Sequence, residues 1–428
     1  MIEMVDLIIT ARWIVPIVPR QQVLEHHAIV IQHGVIIDIL PTDEATVRYQ
    51  ATTTQHCEQH CVMPGLINNH THAAMSLFRG LADDLPLMTW LNDHIWPAER
   101  DWVSDNFVEA GSELAIAEMI RGGTTCFNDM YFFPEATARI VDRCGIRANL
   151  GMVVIEFPSA WASDANDYLH KGQLLHDHYR RHTRITTSYA PHAPYTVSDS
   201  TLSSIVMMAE EMDVPLHMHI HETAGEINDS VEAHGIRPLE RLNKLGLLSP
   251  RLTAVHMTQL TQDEIQLCAD NGVHIAHCPE SNLKLASGFC PVGELFKQGV
   301  NVTIGTDGAA SNNDLDMFAE LRQTALLAKA VSQDASAPIC LFCRTPMVKN
   351  SNKKIRWDRL MKRIKVGDPI ALTRMGTELM EARDYKGAVE HFSKAAALGN
   401  IEAHDYLGFM YCKGLGVEKD EAKSVHHL

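Results

Sequence analysis

Long apolar runs are missing from this chain, and with them the means to cross a bilayer as a helix. The first ten residues, MIEMVDLIIT, carry acids where a secretion leader carries bases, so export through such a leader is not expected. A framework of paired cysteines is missing too. The ten cysteines are scattered over 428 residues, which fits a reducing, cytoplasmic setting better than a disulfide-stapled one. Positive charge is scarce over most of the length. Of 37 Lys and Arg and 53 Asp and Glu, 16 and 11 lie after residue 337, which leaves a net of −21 before it and +5 after it. Nucleic-acid backbones are held by Lys and Arg, so the acidic body speaks against a nucleic-acid partner.

Histidine, by contrast, is abundant, and 20 of the 24 histidines precede residue 338. Two of them sit in PGLINNHTHAA, Pro64 to Ala74. Side chains at i and i+2 of a strand share a face, so His70 and His72 can reach one point in space. A metal ion is the usual reason to do so, and a pair of surface histidines at a strand end is the plain alternative. From about residue 60 onward, short apolar strand candidates alternate with longer helical stretches, the pattern of a parallel sheet. Eight such strands predict a (β/α)8 TIM-like barrel, in which function sits at the C-terminal strand ends. Polar residues fall at those ends. His70 and His72 end the first strand, Asp129 the second, His192 follows the fourth, and His217, His219, His221 and Glu222 end the fifth. His256 ends the sixth, His277 the seventh and Asp307 the eighth.

Histidines and acids at nearly every strand end predict one shared metal site. Three imidazoles and one carboxylate would leave a coordination place open for water, as a catalytic zinc requires. Asp307 and Glu222 are the acid–base pair beside it. Spacing leaves open which of His217, His219 and His221 binds the metal, because all three are expected on one strand face. Ahead of the barrel, residues 5–40 read as short strands with a hairpin turn at His33-Gly34.

Pro64 to Pro86 (PGLINNHTHAAMSLFRGLADDLP) resembles the amidohydrolase superfamily, in its cytosine-deaminase-like and chlorohydrolase branch. So do APHAPYTV (Ala190 to Val197), HIHETAGEI (His219 to Ile227), HCPESNLKLASG (His277 to Gly288) and GTDGAASNNDLDMF (Gly305 to Phe318). The resemblance covers roughly residues 1–337 and is nearest to the deaminases of 5-methylthioadenosine and S-adenosylhomocysteine. It implies a barrel with one divalent metal, Zn2+ by preference, on His70, His72, His219 and Asp307. It implies a small-molecule nucleoside substrate contacted by Glu99 (in WPAER) and His192, with Glu222 and Asp307 against the reacting ring and Trp90 in the pocket wall. The implied reaction is hydrolytic deamination. Water attacks C6 of the adenine ring, Asp307 takes its proton, His256 orients it, and Glu222 protonates the adjacent ring nitrogen. Guanine deamination and chlorotriazine hydrolysis share this site and remain alternatives. An arginine that some nucleoside deaminases of the group use is not evident near Leu150 to Trp161.

The resemblance ends at Gln333 to Ala337. The family's further helix and closing strands, around a Gly-x-Leu-x-x-Gly-Lys-x-Ala-Asp-type stretch, are not found, so the small N-terminal β-sandwich is expected to be incomplete, with apolar edges exposed. Expected divisions are sandwich strands at 1–60, the barrel at 61–337, a basic linker with a CxxC at 338–366, and an α-helical repeat segment at 367–428. Cys340-x-x-Cys343 is half of a zinc site that lacks an obvious second pair. Arg344 to Lys365 holds nine basic residues and one acidic, a solvated linker or helix face, with nucleic acid or an anionic membrane as the sharper alternative. In the tail, Ala371 and Ala403, and Gly376 and Gly408, are each 32 apart. LGFMYCKGLGVEKD (Leu407 to Asp420) resembles Sel1-like repeats, relatives of tetratricopeptide repeats, which implies a protein partner. The competing expectation to an enzyme is therefore an inactive barrel joined to an interaction repeat.

Overall fold

Eight short segments of the central chain bury nearly all their apolar residues, too many for a sheet wetted on one face, and each of them is a strand. In the computed structural model, which describes residues 2–17, 22–335, 337, 369–381, 384–420 and 423–424, they are β5 (Leu66–Thr71), β6 (Thr124–Asp129), β7 (Arg147–Val154), β8 (Ile185–Pro191), β9 (Leu216–Ile220), β10 (Leu252–His256), β11 (His274–His277) and β12 (Asn301–Ile304). They lie in chain order in one eight-stranded sheet, and each pairs in parallel with the next. Helices connect them. Ser104, Asp164, Ser198 and Thr223 accept the free N–H groups at the starts of four of these helices, and Thr261 with Glu264 forms a reciprocal capping box at another. Glycines in the left-handed conformation, Gly145, Gly235 and Gly272, end three of them. The expected barrel is the architecture observed.

The first and last strands meet through side chains and loop backbone. Asn68 on β5 donates to Thr306 Oγ1 (2.7 Å) and accepts from the Thr306 amide (3.0 Å), and the Asp307 amide donates to the His70 carbonyl (3.0 Å). This seam permits no side chain at Gly305. A Cβ there would lie 2.6 Å from the His70 nitrogen and 2.8 Å from its Cβ. Gly305→Ala is expected to push the two strand ends apart, lowering stability by about 1–3 kcal/mol and weakening metal retention. A denaturant titration with metal analysis of the folded fraction checks this.

The N-terminal strands form a separate sheet in the order β3-β2-β1-β4, made of β1 (Glu3–Ile14), β2 (Leu24–Gln32), β3 (Val35–Pro41) and β4 (Tyr49–Val62). His33 and Gly34 both take positive φ (51° and 75°), as a tight hairpin between β2 and β3 demands. β4 runs parallel to β1 and was not legible in the sequence. It is mostly exposed and polar, so it carries no hydrophobic alternation, and pairing with β1 creates it. A short helix, Thr42–Arg48, packs Ala45 against Val5, Ile8, Ala28, Val30 and Leu40 of this sheet, and a second sheet facing it, which the expected sandwich requires, is not found among the described residues. The edge strand β3 exposes Val35 and Ile36, as anticipated for an edge without a partner.

The chain divides into two compact units, Met1–Thr345 and Pro346–Leu428. The second contains helices Pro369–Glu381, Tyr385–Ala397 and Ile401–Lys413. They close over Leu372, Ala388, Phe392, Ala403, Leu407 and Met410. Phe392 stacks on Tyr406 at 4.7 Å and leaves no room for a Cβ at Gly376. Cys340, Cys343 and the basic run from Arg344 to Lys365 lie outside the described residues. The eight cysteines within the described residues are free thiols. Among the described residues no helix is long and apolar enough to cross a membrane.

Candidate metal centre

The seam between β5 and β12 brings four potential ligands together. One ligand atom each from His70, His72, His219 and Asp307 lies within 4.8 Å of all the others. His70 comes from β5, His72 follows it, His219 comes from β9, and Asp307 leaves β12 in a left-handed conformation (φ 65°). Asp307 Oδ2 accepts from Ser281 (2.6 Å) and Ser311 (2.9 Å), which turns Oδ1 toward the histidines. Oδ1 stands 3.2 Å from the Nε2 atoms of both His70 and His72, yet it is a buried acceptor without a hydrogen-bond donor.

The histidine tautomers explain why. His72 Nδ1–H donates to the Met130 carbonyl (2.5 Å), and His219 Nδ1–H donates to the His192 carbonyl (2.8 Å). In their neutral form these rings therefore present Nε2 lone pairs to the centre. Facing lone pairs repel unless a cation stands between them. Burial pulls the His70 imidazole down to about 4 and His219 well below its ordinary value, so both are neutral, the form that binds metal. Burial also pulls His72 down, but Asp307 outweighs it and lifts that ring to about 9. The site thus demands one positive charge, supplied by a proton or by a metal. Three imidazoles and a carboxylate are donors of the kind zinc takes.

Glu222 and His256 stand beside this cluster. Glu222 follows β9, and burial pushes its carboxyl up from the usual carboxylate range, which favours the protonated form. Its backbone is pinned twice. Glu226 accepts from the amides of His221 (2.9 Å) and Glu222 (2.8 Å), and Thr258 donates to the Glu222 carbonyl (2.7 Å). His256 Nδ1–H donates to Asn282 Oδ1 (2.8 Å), which turns Nε2 toward Glu222 Oε2 at 3.7 Å. His256, like Asp307, takes a positive φ (70°), backbone strain of the kind that collects at functional sites.

The cluster opens into a cavity of about 700 Å³. His72, His219, Glu222, His256 and Asp307 form part of its wall, with Glu99, His192 and Trp90. Burial pushes Glu99 up to about 7 and pulls His192 down to about 3, so at neutral pH His192 is neutral and Glu99 is held partly protonated. Trp90, Leu91, Trp96, Tyr131, Phe132 and Phe157 make much of the wall apolar. A one-turn π-helix at Leu91–Ile95 joins the short helices that carry Trp90 and Glu99. Such a turn is a frequent marker of functional sites, and hydrophobic periodicity does not reveal it.

The remaining strand-end residues are placed elsewhere. His217, His219 and His221 do not share one strand face as expected. β9 stops at Ile220, and His221 turns away through φ 54° to accept from the Leu239 amide (3.1 Å). His217 lies behind His70, its Nε2 2.9 Å from His70 Nδ1. Asp129 accepts from Thr71 (2.9 Å) and from the Ala73 amide (2.7 Å), which steadies the turn that carries His72. His277 lines a small separate void. Burial pulls His221 down to about 4 and His277 to about 3. Unfolded histidines take up protons near pH 6.5, and these two do not while folded. The unfolded state then binds more protons below that pH, so stability falls as pH drops from 6.5 toward 4. The expected loss is about 1.4 kcal/mol per pH unit for each such ring. Denaturant midpoints measured across that range check it, and His277→Gln should flatten the slope.

A family model described as the amidohydrolase family matches residues 61–339. A 5-methylthioadenosine/S-adenosylhomocysteine deaminase of Saccharophagus degradans is 52% identical over 332 residues, 78% of this chain and 74% of that protein. A deaminase of the same name from Thermodesulfovibrio yellowstonii is 36% identical over 97% of this chain and 95% of its own length. The crystal structure of an adenosine deaminase from Xanthomonas campestris with bound zinc superposes with a TM-score of 0.78 at 54% identity, covering 79% of this chain and 77% of that one.

Proposed function

The chain belongs to the amidohydrolase family, and from that premise we propose that it is a zinc-dependent hydrolytic deaminase of an adenine nucleoside such as 5-methylthioadenosine or S-adenosylhomocysteine. One observation carries the reading: the donor-less, buried Asp307 Oδ1 faces three histidines, with a carboxyl of raised pKa, Glu222, on the same cavity wall. His70, His72, His219 and Asp307 would hold the ion. Zinc, when bound, brings the ionisation of a water from about 15.7 toward 7 and so supplies a nucleophile at neutral pH.

The chain's own residues do the rest. Asp307 Oδ1 accepts the proton that the attacking water loses. His256, fixed by Asn282, orients that water. Glu222 gives its proton to the ring nitrogen next to the carbon under attack, so charge does not build up on the ring. Water adds at C6, the amino group takes the proton that Asp307 accepted, the C6–N bond breaks and ammonia leaves. The proton left on the new C6 hydroxyl passes to Glu222, and the one Glu222 gave stays on the ring nitrogen. The product is an inosine analogue. Glu99 and His192 contact the nucleoside, and Trp90 and its apolar neighbours exclude water around it.

The divisions at 1–60, 61–337, 338–366 and 367–428 belong to the same proposal, as does a cytoplasmic setting, supported by the free cysteines. Residues 367–428 are proposed to be Sel1-like repeats that meet a protein partner. The three packed helices and the exposed Phe409 support this.

The test is turnover by the purified chain offered 5-methylthioadenosine, S-adenosylhomocysteine, adenosine, guanine and a chlorotriazine. Ammonia release from an adenine nucleoside is expected. Ammonia from guanine alone, or chloride from the triazine alone, moves the assignment within the family. No turnover of any of them by zinc-loaded protein would favour the inactive scaffold.

A further inference from the structure

Behind the metal cluster, a row of polar side chains runs across the barrel interior. His70 Nδ1 meets His217 Nε2 at 2.9 Å, and His217 Nδ1 lies 2.5 Å from the side-chain nitrogen of Asn128. As placed, Asn149 Nδ2 donates to Asn128 Oδ1 (2.9 Å) and Ser188 Oγ (2.8 Å), and Thr186 donates to Asn149 Oδ1 (3.1 Å). His217 and Asn149 belong to neither the ligand set nor the cavity wall. Three of these groups, His70, His217 and Ser188, are almost completely buried, so their hydrogen bonds must be made within the row.

Such a row can run in two directions. Each neutral imidazole carries one N–H, so one donation fixes the next. In one direction Asn128 N–H donates to His217 Nδ1, and His217 Nε2–H donates to His70 Nδ1. His70 is then left with its proton on Nε2, which faces Asp307 and the other histidines, and it cannot bind a metal. In the other direction His70 Nδ1–H donates to His217 Nε2, and His217 Nδ1–H donates to the carbonyl oxygen of Asn128. Asn128 then donates onward to Asn149. Only this direction leaves a lone pair on His70 Nε2. The first direction is the one in which the amides are placed. An amide's two ends have nearly the same shape, so turning Asn128 and Asn149 end for end gives the second in the same positions, and the chemistry at the end of the row decides.

We infer that His217 is a positioning residue for the metal site: it accepts the Nδ1 proton of His70, and Asn128 accepts in turn from His217, so that His70 Nε2 is held ready to bind metal. Metal-bound histidines commonly donate their second N–H to a partner that fixes the tautomer. In His72 and His219 that partner is a backbone carbonyl. His70 has a side chain in that place, and so its tautomer depends on residues that can be changed. The inference rests on the metal reading of the site.

The test uses full-length wild-type protein with His217→Leu, His217→Gln and Asn128→Asp, each titrated with zinc against a chelator. His217→Leu removes the acceptor and is expected to weaken zinc binding about 10- to 100-fold, while His217→Gln, whose amide oxygen can accept, stays within about threefold of wild type. Asn128→Asp can only accept, so the inferred direction predicts that it keeps zinc. The nitrogen resonances of zinc-loaded wild type should show His70 protonated at Nδ1. Zinc held equally tightly by His217→Leu overturns the inference. So does an Asn128→Asp variant that loses zinc as His217→Leu does, because the row would then run the other way. If His217→Leu does not fold, the other two variants and the resonances decide. A wild type that binds no zinc would instead sink the metal reading itself.

Discussion

Glu222→Gln is expected to lower kcat by about 100- to 10,000-fold, the span of one positioned acid–base group, while the variant keeps its zinc. Glutamine has nearly the same shape and can hold the same backbone turn, since the bonds that pin it, from Glu226 and Thr258, reach only main-chain atoms of residue 222. What the variant loses is the transferable proton. That loss appears at the transition state, so kcat and kcat/KM should fall together with little change in KM. Steady-state rates with 5-methylthioadenosine and metal analysis on the same sample check both halves. Turnover left intact would remove Glu222 from the proposed reaction.

Zinc content should fall most in His72→Ala. Wild type is expected to hold about one equivalent per chain, and losing one of four ligands should weaken binding by more than the roughly 10- to 100-fold seen for residues that only support a ligand. Activity should fall below detection, because a water without the metal ionises near 15.7 instead of near 7. His72 is suited to this test because it projects from just beyond β5, half-buried, so truncating it leaves the barrel core intact. Chelation of wild type offers the matching control. It should abolish turnover and lower the thermal midpoint, since zinc binds only the folded state, and added zinc should restore both. Zinc retained by His72→Ala would place the ion elsewhere.

The barrel was legible because burial on both sides of a parallel sheet writes itself into local sequence. Short apolar segments between helical stretches marked all eight strands, and the two-residue pleat placed His70 beside the position of His72. The N-terminal β4 was illegible for the opposite reason: it is largely exposed and polar, and it exists because β1 offers a partner. The strand-end signal was also too generous. Asp129 and His277 sit at strand ends like His70 and Asp307, but Asp129 is spent on Thr71 and Ala73, and His277 faces a different void.

By itself, then, the sequence determined the strand succession, the paired histidines of the first strand, and the residue types a metal-dependent hydrolysis needs, because these follow from short-range periodicity and side-chain chemistry. Which groups meet was decided only by tertiary structure. β9 ends one residue before His221, and a left-handed turn removes that ring from the cluster and leaves His219 in it. The closing contact joins Asn68 to Thr306, 238 residues apart, and sets Asp307 against His70. No local pattern encodes a distance across such a loop. It comes from eight twisted strands closing on one another, and the electrostatic demand for a cation arises only where they meet.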